Sequence, residues 1–218
     1  VRHQGSKALL EVLLREHPDS EVRGTACFAL ATLLKDEAKF GQNAKATAAA
    51  VQHFERASAE FGTVRWDGKP IGELAALELD ELRRLSLGQP APETAGQDLD
   101  GQPMRLGDYR GRVVVLVFWS KEFIWASEFR NLAERFTGEP FSVVGVFVAN
   151  DVEAGRAEAE RRGMLWRSFW DGRDGPIARD WNIRSWSTTW VLDRQGIIRH
   201  RDLRGPELQK AVEQLLKE

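Results

Sequence analysis

Two patterns of hydrophobic positions divide the chain near Gly88. Before this residue, apolar side chains recur every three or four positions, which is the spacing of one face of a helix. After it, unbroken apolar runs of strand length alternate with stretches of helical spacing. Between the two, residues 88–92 (GQPAP) break both periods, because a glycine and two prolines disfavour helix and strand alike. The pattern predicts an all-α domain over residues 1–87 and an α/β domain over residues 88–218.

The first segment is predicted to fold into helical hairpins. Pro18 ends a first helix, and Asp19 or Ser20 can cap the second. A third helix is expected to stop at Gly62, and a fourth follows over about 71–85.

The third helix repeats small and large residues in a way that resembles the second helix of a tetratricopeptide repeat. The residues are Ala50, Phe54, Ala57 and Phe61. Only one such unit is visible, and stacked repeats usually need about three units to be stable. A helical-hairpin domain is therefore expected, with a peptide-binding solenoid as the alternative.

In the second segment, two unbroken apolar runs indicate strands that are buried on both faces. A helix is expected after each run, and the last strands form a hairpin around residues 193–195. This order implies a central sheet with helices on both sides. The predicted elements are two short strands within 98–106, strands at 113–119 and 141–149, helices to about 136 and over 152–162, strands at 188–192 and 196–201, and a helix at 206–216.

The composition excludes several classes of function. The 31 basic and 33 acidic residues are balanced and give a net charge of −2, so the electrostatic capture of nucleic acid is not expected. The four histidines are scattered without the spacing of metal ligands, and neither a metal nor a cofactor is expected. No apolar run approaches the roughly 20 residues of a membrane span. We recognise no signal peptide, and this says little about the compartment.

Cys27 is the only cysteine among the 218 residues, which excludes an intrachain disulfide. It lies within an apolar helical run, where a small buried hydrophobic side chain is expected. A reactive thiol is the alternative.

Three motifs of the second segment resemble the AhpC/TSA and TlpA-like branch of the thioredoxin superfamily. Residues 88–92 (GQPAP) resemble the G-x-x-A-P opening of that branch. Residues 98–120 (DLDGQPMRLGDYRGRVVVLVFWS) and 190–199 (WVLDRQGIIR) resemble two further motifs, in the same order and at similar spacing. The resemblance covers Gly88 to the end of the chain. It implies a thioredoxin-like fold, with a central mixed sheet flanked by helices.

The same resemblance locates an active site whose reactive residues are missing. Relatives carry a C-x-x-C motif after the strand that corresponds to 113–119, and a cis-proline before a late strand. Here Phe123 and Ala126 stand at the two thiol positions, and Ser187 stands at the proline position. Disulfide exchange needs a thiolate, which neither Phe nor Ala supplies. A non-proline cis bond costs about 2.5–4 kcal/mol, so a trans bond before Ser187 and a rebuilt loop are predicted.

Large apolar side chains have replaced the reactive motif. We predict Phe123, Ile124, Trp125 and Trp186 to be contact residues of the groove in which relatives hold an extended peptide, because exposed aromatic side chains make strong interface contacts. The alternative is that these side chains turn inward and fill the old site.

The resulting hypothesis is a redox-inactive thioredoxin-like protein that serves as a binding or structural module through the vacated groove, with a protein or peptide partner. The alternative is the activity that the family implies, thiol-disulfide exchange or peroxide reduction. A permanent subunit of a larger assembly is a third possibility. Many relatives are exported, which implies an exported or periplasmic location, with the cytoplasm as the alternative.

Overall fold

The computed structural model describes residues 2–41, 43–121, 123–173, 175–183 and 187–218. The chain divides into two compact units, Val1–Ser86 and Leu87–Glu218, which are described separately.

The first unit is built from helices that bury one apolar face each. Asn43 begins the third helix by accepting hydrogen bonds from the backbone N–H groups of Lys45 and Ala46, at 3.0 and 3.3 Å. The predicted face of that helix, at Ala50, Phe54, Ala57 and Phe61, is buried throughout. The elements are α1 (Arg2–Glu16), α2 (Ser20–Gly41), α3 (Ala44–Phe61), a short hairpin of β1 (Arg65–Trp66) and β2 (Lys69–Pro70), and α4 (Ile71–Arg84).

Gly62 ends α3 in a different manner from a left-handed glycine cap. Its φ is −56°, in the right-handed region. A side chain at Gly62 would collide with the carbonyl oxygen of Ser58, and the amide of Gly72 donates to the carbonyl of Gly62 at 3.0 Å. A side chain at Gly72 would come within 3.2 Å of the backbone of Gly62, so the close approach of these two segments depends on Gly72.

Cys27 is fully buried in the helical unit, as the apolar run predicts. Its Sγ lies 3.4 Å from the carbonyl oxygen of His53. Burial raises the pKa of this thiol to about 11, so at neutral pH it is protonated and a poor nucleophile.

The second unit is organised around a five-stranded mixed sheet with the order β7-β6-β5-β8-β9. Strands β5, β6 and β7 are parallel, whereas β8 runs antiparallel to both β5 and β9. The elements are β3 (Ala95–Gln97), β4 (Pro103–Arg105), a 3-10 turn (Leu106–Tyr109), β5 (Val113–Trp119), α5 (Ala126–Arg135), β6 (Phe141–Phe147), α6 (Val152–Arg161), β7 (Ser168–Trp170), α7 (Pro176–Asp180), β8 (Thr189–Leu192), β9 (Ile198–Arg201) and α8 (Gly205–Leu215).

Strand β5 is buried on both faces, as its unbroken apolar sequence predicts. Val113, Val115 and Val117 join a core cluster with the inner faces of α5 and α8. Phe118 points the other way and meets Trp181, with ring centroids 6.1 Å apart. Helices therefore cover both faces of the sheet.

Strand β7 and helix α7 lie outside the predicted elements, because three and five residues are too short to show a period. Asp171 is buried between them. Its carboxylate accepts hydrogen bonds from the amides of Ile177 and Ala178 at 2.9 and 2.7 Å. Burial raises the pKa of this carboxyl, against the opposing effect of the two amides.

Asp98 organises the turn between β3 and β4. The sequence pattern predicts both short strands within 98–106, but β3 lies before this range, so its predicted position is wrong. The buried carboxylate of Asp98 accepts from the amides of Asp100 and Gln102, at 3.0 and 2.8 Å, and pairs with the guanidinium of Arg167 at 2.6 Å. Burial alone would raise the pKa of Asp98, but these donors outweigh it and the pKa is lowered.

We expect Asp98→Asn to lower the free energy of unfolding by about 1–3 kcal/mol at pH 7. A lowered pKa in the folded protein adds stability above the unfolded value of about 3.9, and this is lost as the pH falls through the folded value. The difference in unfolding free energy between the parent chain and Asp98→Asn should therefore be constant from pH 5 to 8 and disappear below about pH 4. Urea unfolding at several pH values measures it. A difference of the same size below about pH 4 would contradict the lowered pKa of Asp98 as its cause.

Candidate functional site

The segment between β5 and α5 forms the centre of the candidate site. Strand β5 ends at Trp119 and α5 begins at Ala126, so residues 120–125 leave the sheet at the carboxyl edge of its central parallel strand. The amide of Phe123 donates to the carbonyl of Ser120 at 3.1 Å, which turns the chain toward the helix. Glu122 lies outside the described residues.

Phe123 takes the inward position of the two alternatives. Its side chain is 1% exposed. Its ring centroid lies 5.7 Å from that of Phe129 in a stacked arrangement, and 6.1 Å from that of Trp119. Ala126 is buried as well. Both positions that the resemblance assigns to reactive thiols are therefore filled by apolar side chains of the core, and Phe123 is unavailable as a surface contact.

The two residues between them face outward. Ile124 is 69% exposed and Trp125 is 42% exposed. Trp125 stands at the N-cap of α5 without a side-chain capping bond, so its position at the helix start is not explained by capping. Trp186, the fourth predicted contact residue, lies outside the described residues.

Ser187 occupies a backbone conformation that a proline cannot adopt. Its φ is +81°, whereas the proline ring holds φ near −65°. Its amide donates to the carbonyl of Phe118 at 2.8 Å, and the amide of Phe118 donates to the carbonyl of Thr188 at 3.0 Å. The conformation of this loop therefore includes a hydrogen bond from the N–H group of Ser187, which a proline could not donate. The predicted trans bond joins Ser187 to Trp186 and lies outside the described residues.

A third segment, between β9 and α8, borders the site, and the sequence pattern alone did not indicate it. The amide of Asp202 donates to the carbonyl of Thr189 at 2.8 Å, and the amide of Gly205 donates to the carboxylate of Glu128 at 2.6 Å. The guanidinium of Arg204 lies over the ring of Phe129, 5.5 Å from its centroid. We call the surface formed by Ile124, Trp125, Ser187 and residues 203–205 the vacated groove.

Arg204 is the half-buried cation of the vacated groove. Its Nη1 donates to the hydroxyl of Thr189 and to the carbonyl of Leu203. Burial lowers the pKa of this guanidinium, while Glu128 and Asp202 act in the opposite direction. An arginine remains charged under all physiological conditions, so the groove carries a desolvated positive charge.

An ion pair joins the loop after β5 to the loop after β6. Lys121 and Asp151 form an ion pair at 3.3 Å. The carboxylate of Asp151 also accepts from the amide of Ala154 at 3.0 Å, at the start of α6. Both contacts lower the pKa of Asp151, the bond to the amide more strongly.

Across the described parts of the chain, no three or more His, Cys, Asp or Glu side chains are grouped as ligands for a metal ion. The helices that the structure describes include none long and apolar enough to cross a membrane.

Comparison with known proteins places residues 87–201 in register with the AhpC/TSA family profile. The thioredoxin-like protein YneN of Bacillus subtilis is 28% identical over 137 residues, which cover 59% of this chain and 78% of that protein. The thiol-disulfide oxidoreductase ResA of Geobacillus kaustophilus is 25% identical over 126 residues, covering 55% and 70% respectively.

A solved structure gives the same result for the fold. The thioredoxin domain of a thiol-disulfide oxidoreductase from Bacteroides vulgatus superposes with a TM-score of 0.55 and 24% identity, covering 60% of this chain and 97% of that chain. The thioredoxin-like fold predicted for the second segment, a mixed sheet flanked by helices after a helical region, is confirmed.

Proposed function

Because this chain belongs to the AhpC/TSA family yet has no cysteine beyond Cys27, we propose that it is a redox-inactive member whose vacated groove binds an extended peptide segment of a partner protein. The observation that carries the proposal is the filling of both thiol positions by the buried side chains of Phe123 and Ala126.

The chemistry of disulfide exchange supports the first half of this proposal. The reaction needs one thiolate that attacks and a second thiol that resolves the mixed disulfide. Cys27 belongs to the other compact unit, is fully buried, and has a pKa raised to about 11. It offers neither access nor a thiolate at neutral pH.

The exposed side chains of the groove support the second half. Ile124 and Trp125 present apolar surface at the turn into α5. A large aromatic side chain contributes much contact area for little loss of conformational freedom, and such residues dominate binding energy at interfaces. No core or capping role accounts for their exposure.

The test pairs a redox assay with a binding assay on the full chain. We expect no catalysis of insulin reduction and no peroxide turnover. We expect peptides selected from a random display library to bind, and Trp125→Asp to weaken their binding by at least about tenfold. Leu165→Asp is the matched control, since Leu165 is 91% exposed in the same unit and lies outside the groove.

Two results would overturn the proposal. One is the absence of any selected peptide that binds in solution. The other is an equal loss of binding in the Trp125 and Leu165 variants, which would show that the contact is not made by the groove.

Family membership favours a second candidate, thiol-disulfide exchange by Cys27 as a single nucleophile. Measurable turnover that disappears in Cys27→Ser would establish this activity. We also propose a location outside the cytoplasm, which rests on the family resemblance and which fractionation of cells would test.

A further inference from the structure

We infer that the peptide bound in the vacated groove carries a carboxylate, and that the guanidinium of Arg204 receives it. The inference rests on the proposed function and adds a chemical class of partner to it: an extended segment with an aspartate, a glutamate or a free C-terminus next to an apolar residue.

The hydrogen bonds of Arg204 leave one edge of the guanidinium available. Nη1 donates to the hydroxyl of Thr189 and the carbonyl of Leu203. Nε and Nη2 make no hydrogen bond to any described residue. Arg204 as a whole is partly exposed. These two nitrogens form the planar edge that pairs with both oxygens of a carboxylate.

The nearby acidic side chains are already engaged. The carboxylate of Glu128 accepts from the amide of Gly205, and that of Asp202 pairs with Arg201 at 3.5 Å. Among the described residues, no carboxylate forms an ion pair with Arg204. Glu128 and Asp202 place negative charge near Arg204, although neither of these described carboxylates forms an ion pair with it. Its half-buried guanidinium therefore still gains more from a directly paired anion than a surface arginine does, because water screens it less.

The surroundings hold this guanidinium in place before a ligand arrives. One face lies on the ring of Phe129, and Nη1 is bound at two points. Little side-chain freedom remains to be lost on binding, and a preorganised arginine is suited to the two-oxygen geometry of a carboxylate.

The apolar and cationic parts of the groove both border the first turn of α5. The carbonyl of Trp125 accepts from the amide of Glu128 at 3.0 Å, and Arg204 covers the neighbouring Phe129. The expected ligand therefore carries an apolar residue next to its carboxylate.

The groove also has room beyond the carboxylate. An open cleft of about 400 Å³ begins at Glu128 and Gly205 and continues between α5 and α8 toward Arg135. A peptide that places its carboxylate on Arg204 can extend along this cleft.

The test begins with the unmodified protein and one selected peptide in two forms, acidic and amide (Asp→Asn or Glu→Gln; for a free C-terminus, the C-terminal amide). Isothermal titration calorimetry should show that the amide form binds at least about tenfold more weakly. The same pair is then titrated against Arg204→Gln, where we expect the two forms to bind equally. Arg130→Gln is the matched control, since Arg130 lies on α5 next to Phe129 but donates to the carbonyl of Arg162; it should preserve the preference.

Changing the peptide leaves the protein untouched, so the first comparison does not depend on the folding of a variant. Arg204→Lys retains the charge without the planar edge and should give an intermediate preference. Peptides that bind, depend on Trp125 and show no preference for the acidic form would overturn the inference and leave the proposed function standing. A preference that persists in Arg204→Gln would do the same.

Two other outcomes would overturn the proposed function and this inference together. One is the failure of every peptide to bind. The other is a dimer in light scattering that Trp125→Asp dissociates, which would identify a second copy of the chain as the occupant of the groove.

Discussion

Phe123→Ala is expected to lower the free energy of unfolding by about 3–5 kcal/mol, the range for removing a buried aromatic ring. The ring is 1% exposed and fills the space between Trp119 and Phe129. Its removal leaves a cavity next to β5, the central strand of the sheet, and little surrounding structure can move to fill it. Urea unfolding followed by tryptophan fluorescence measures this, since seven of the eight tryptophans belong to the second unit.

Ile124→Ala is the control for this experiment, because the adjacent side chain is 69% exposed. A change within about 0.5 kcal/mol is expected there. Equal effects at the two positions would contradict the inward placement of Phe123, and with it the conclusion that the first thiol position has become part of the core.

Ser187→Pro is expected to destabilise the protein by about 3 kcal/mol or more, although it restores the residue that the family carries. The φ of +81° lies far from the value that a proline ring allows, and the hydrogen bond from this amide to Phe118 would be lost. Unfolding in urea again gives the measurement, with the transition of the parent chain as the reference.

Ser187→Gly provides the opposite expectation at the same position. Glycine adopts a positive φ without the strain that a serine side chain adds, so this variant should be as stable as the parent or more stable by up to about 1 kcal/mol. A Ser187→Pro variant with parental stability would show that the loop accepts the conformation of its relatives.

Much of the fold follows from the sequence because strong periods specify long elements. Strand β5 was predicted with its observed limits, since seven consecutive apolar residues suit only a strand buried on both faces. The buried face of α3 was predicted residue by residue for the same reason. Strand β7 and helix α7 were missed, because three and five residues are held in place by the tertiary contacts of Asp171 rather than by their own pattern.

The sequence likewise predicts only part of the candidate site. The sequence identifies the vacated thiol positions, but it does not show which of three consecutive apolar residues turns inward. That choice depends on the turn at Ser120, where the amide of Phe123 closes back on the sheet. Arg204 was not singled out at all, because its importance arises from contacts with Phe129 and Thr189, which are distant in sequence.

The stacked pair of Phe123 and Phe129 affects which substitutions this protein can accept during evolution. A cysteine at Phe123 would restore a thiol but remove most of a ring from the core, and would lower stability before a second thiol could make the first one useful. Two further changes, at Ala126 and Ser187, would be needed, and a proline at Ser187 is expected to be destabilising by itself. If the proposed function holds, packing therefore opposes a return of thiol chemistry, because each single substitution on that path is expected to lower stability.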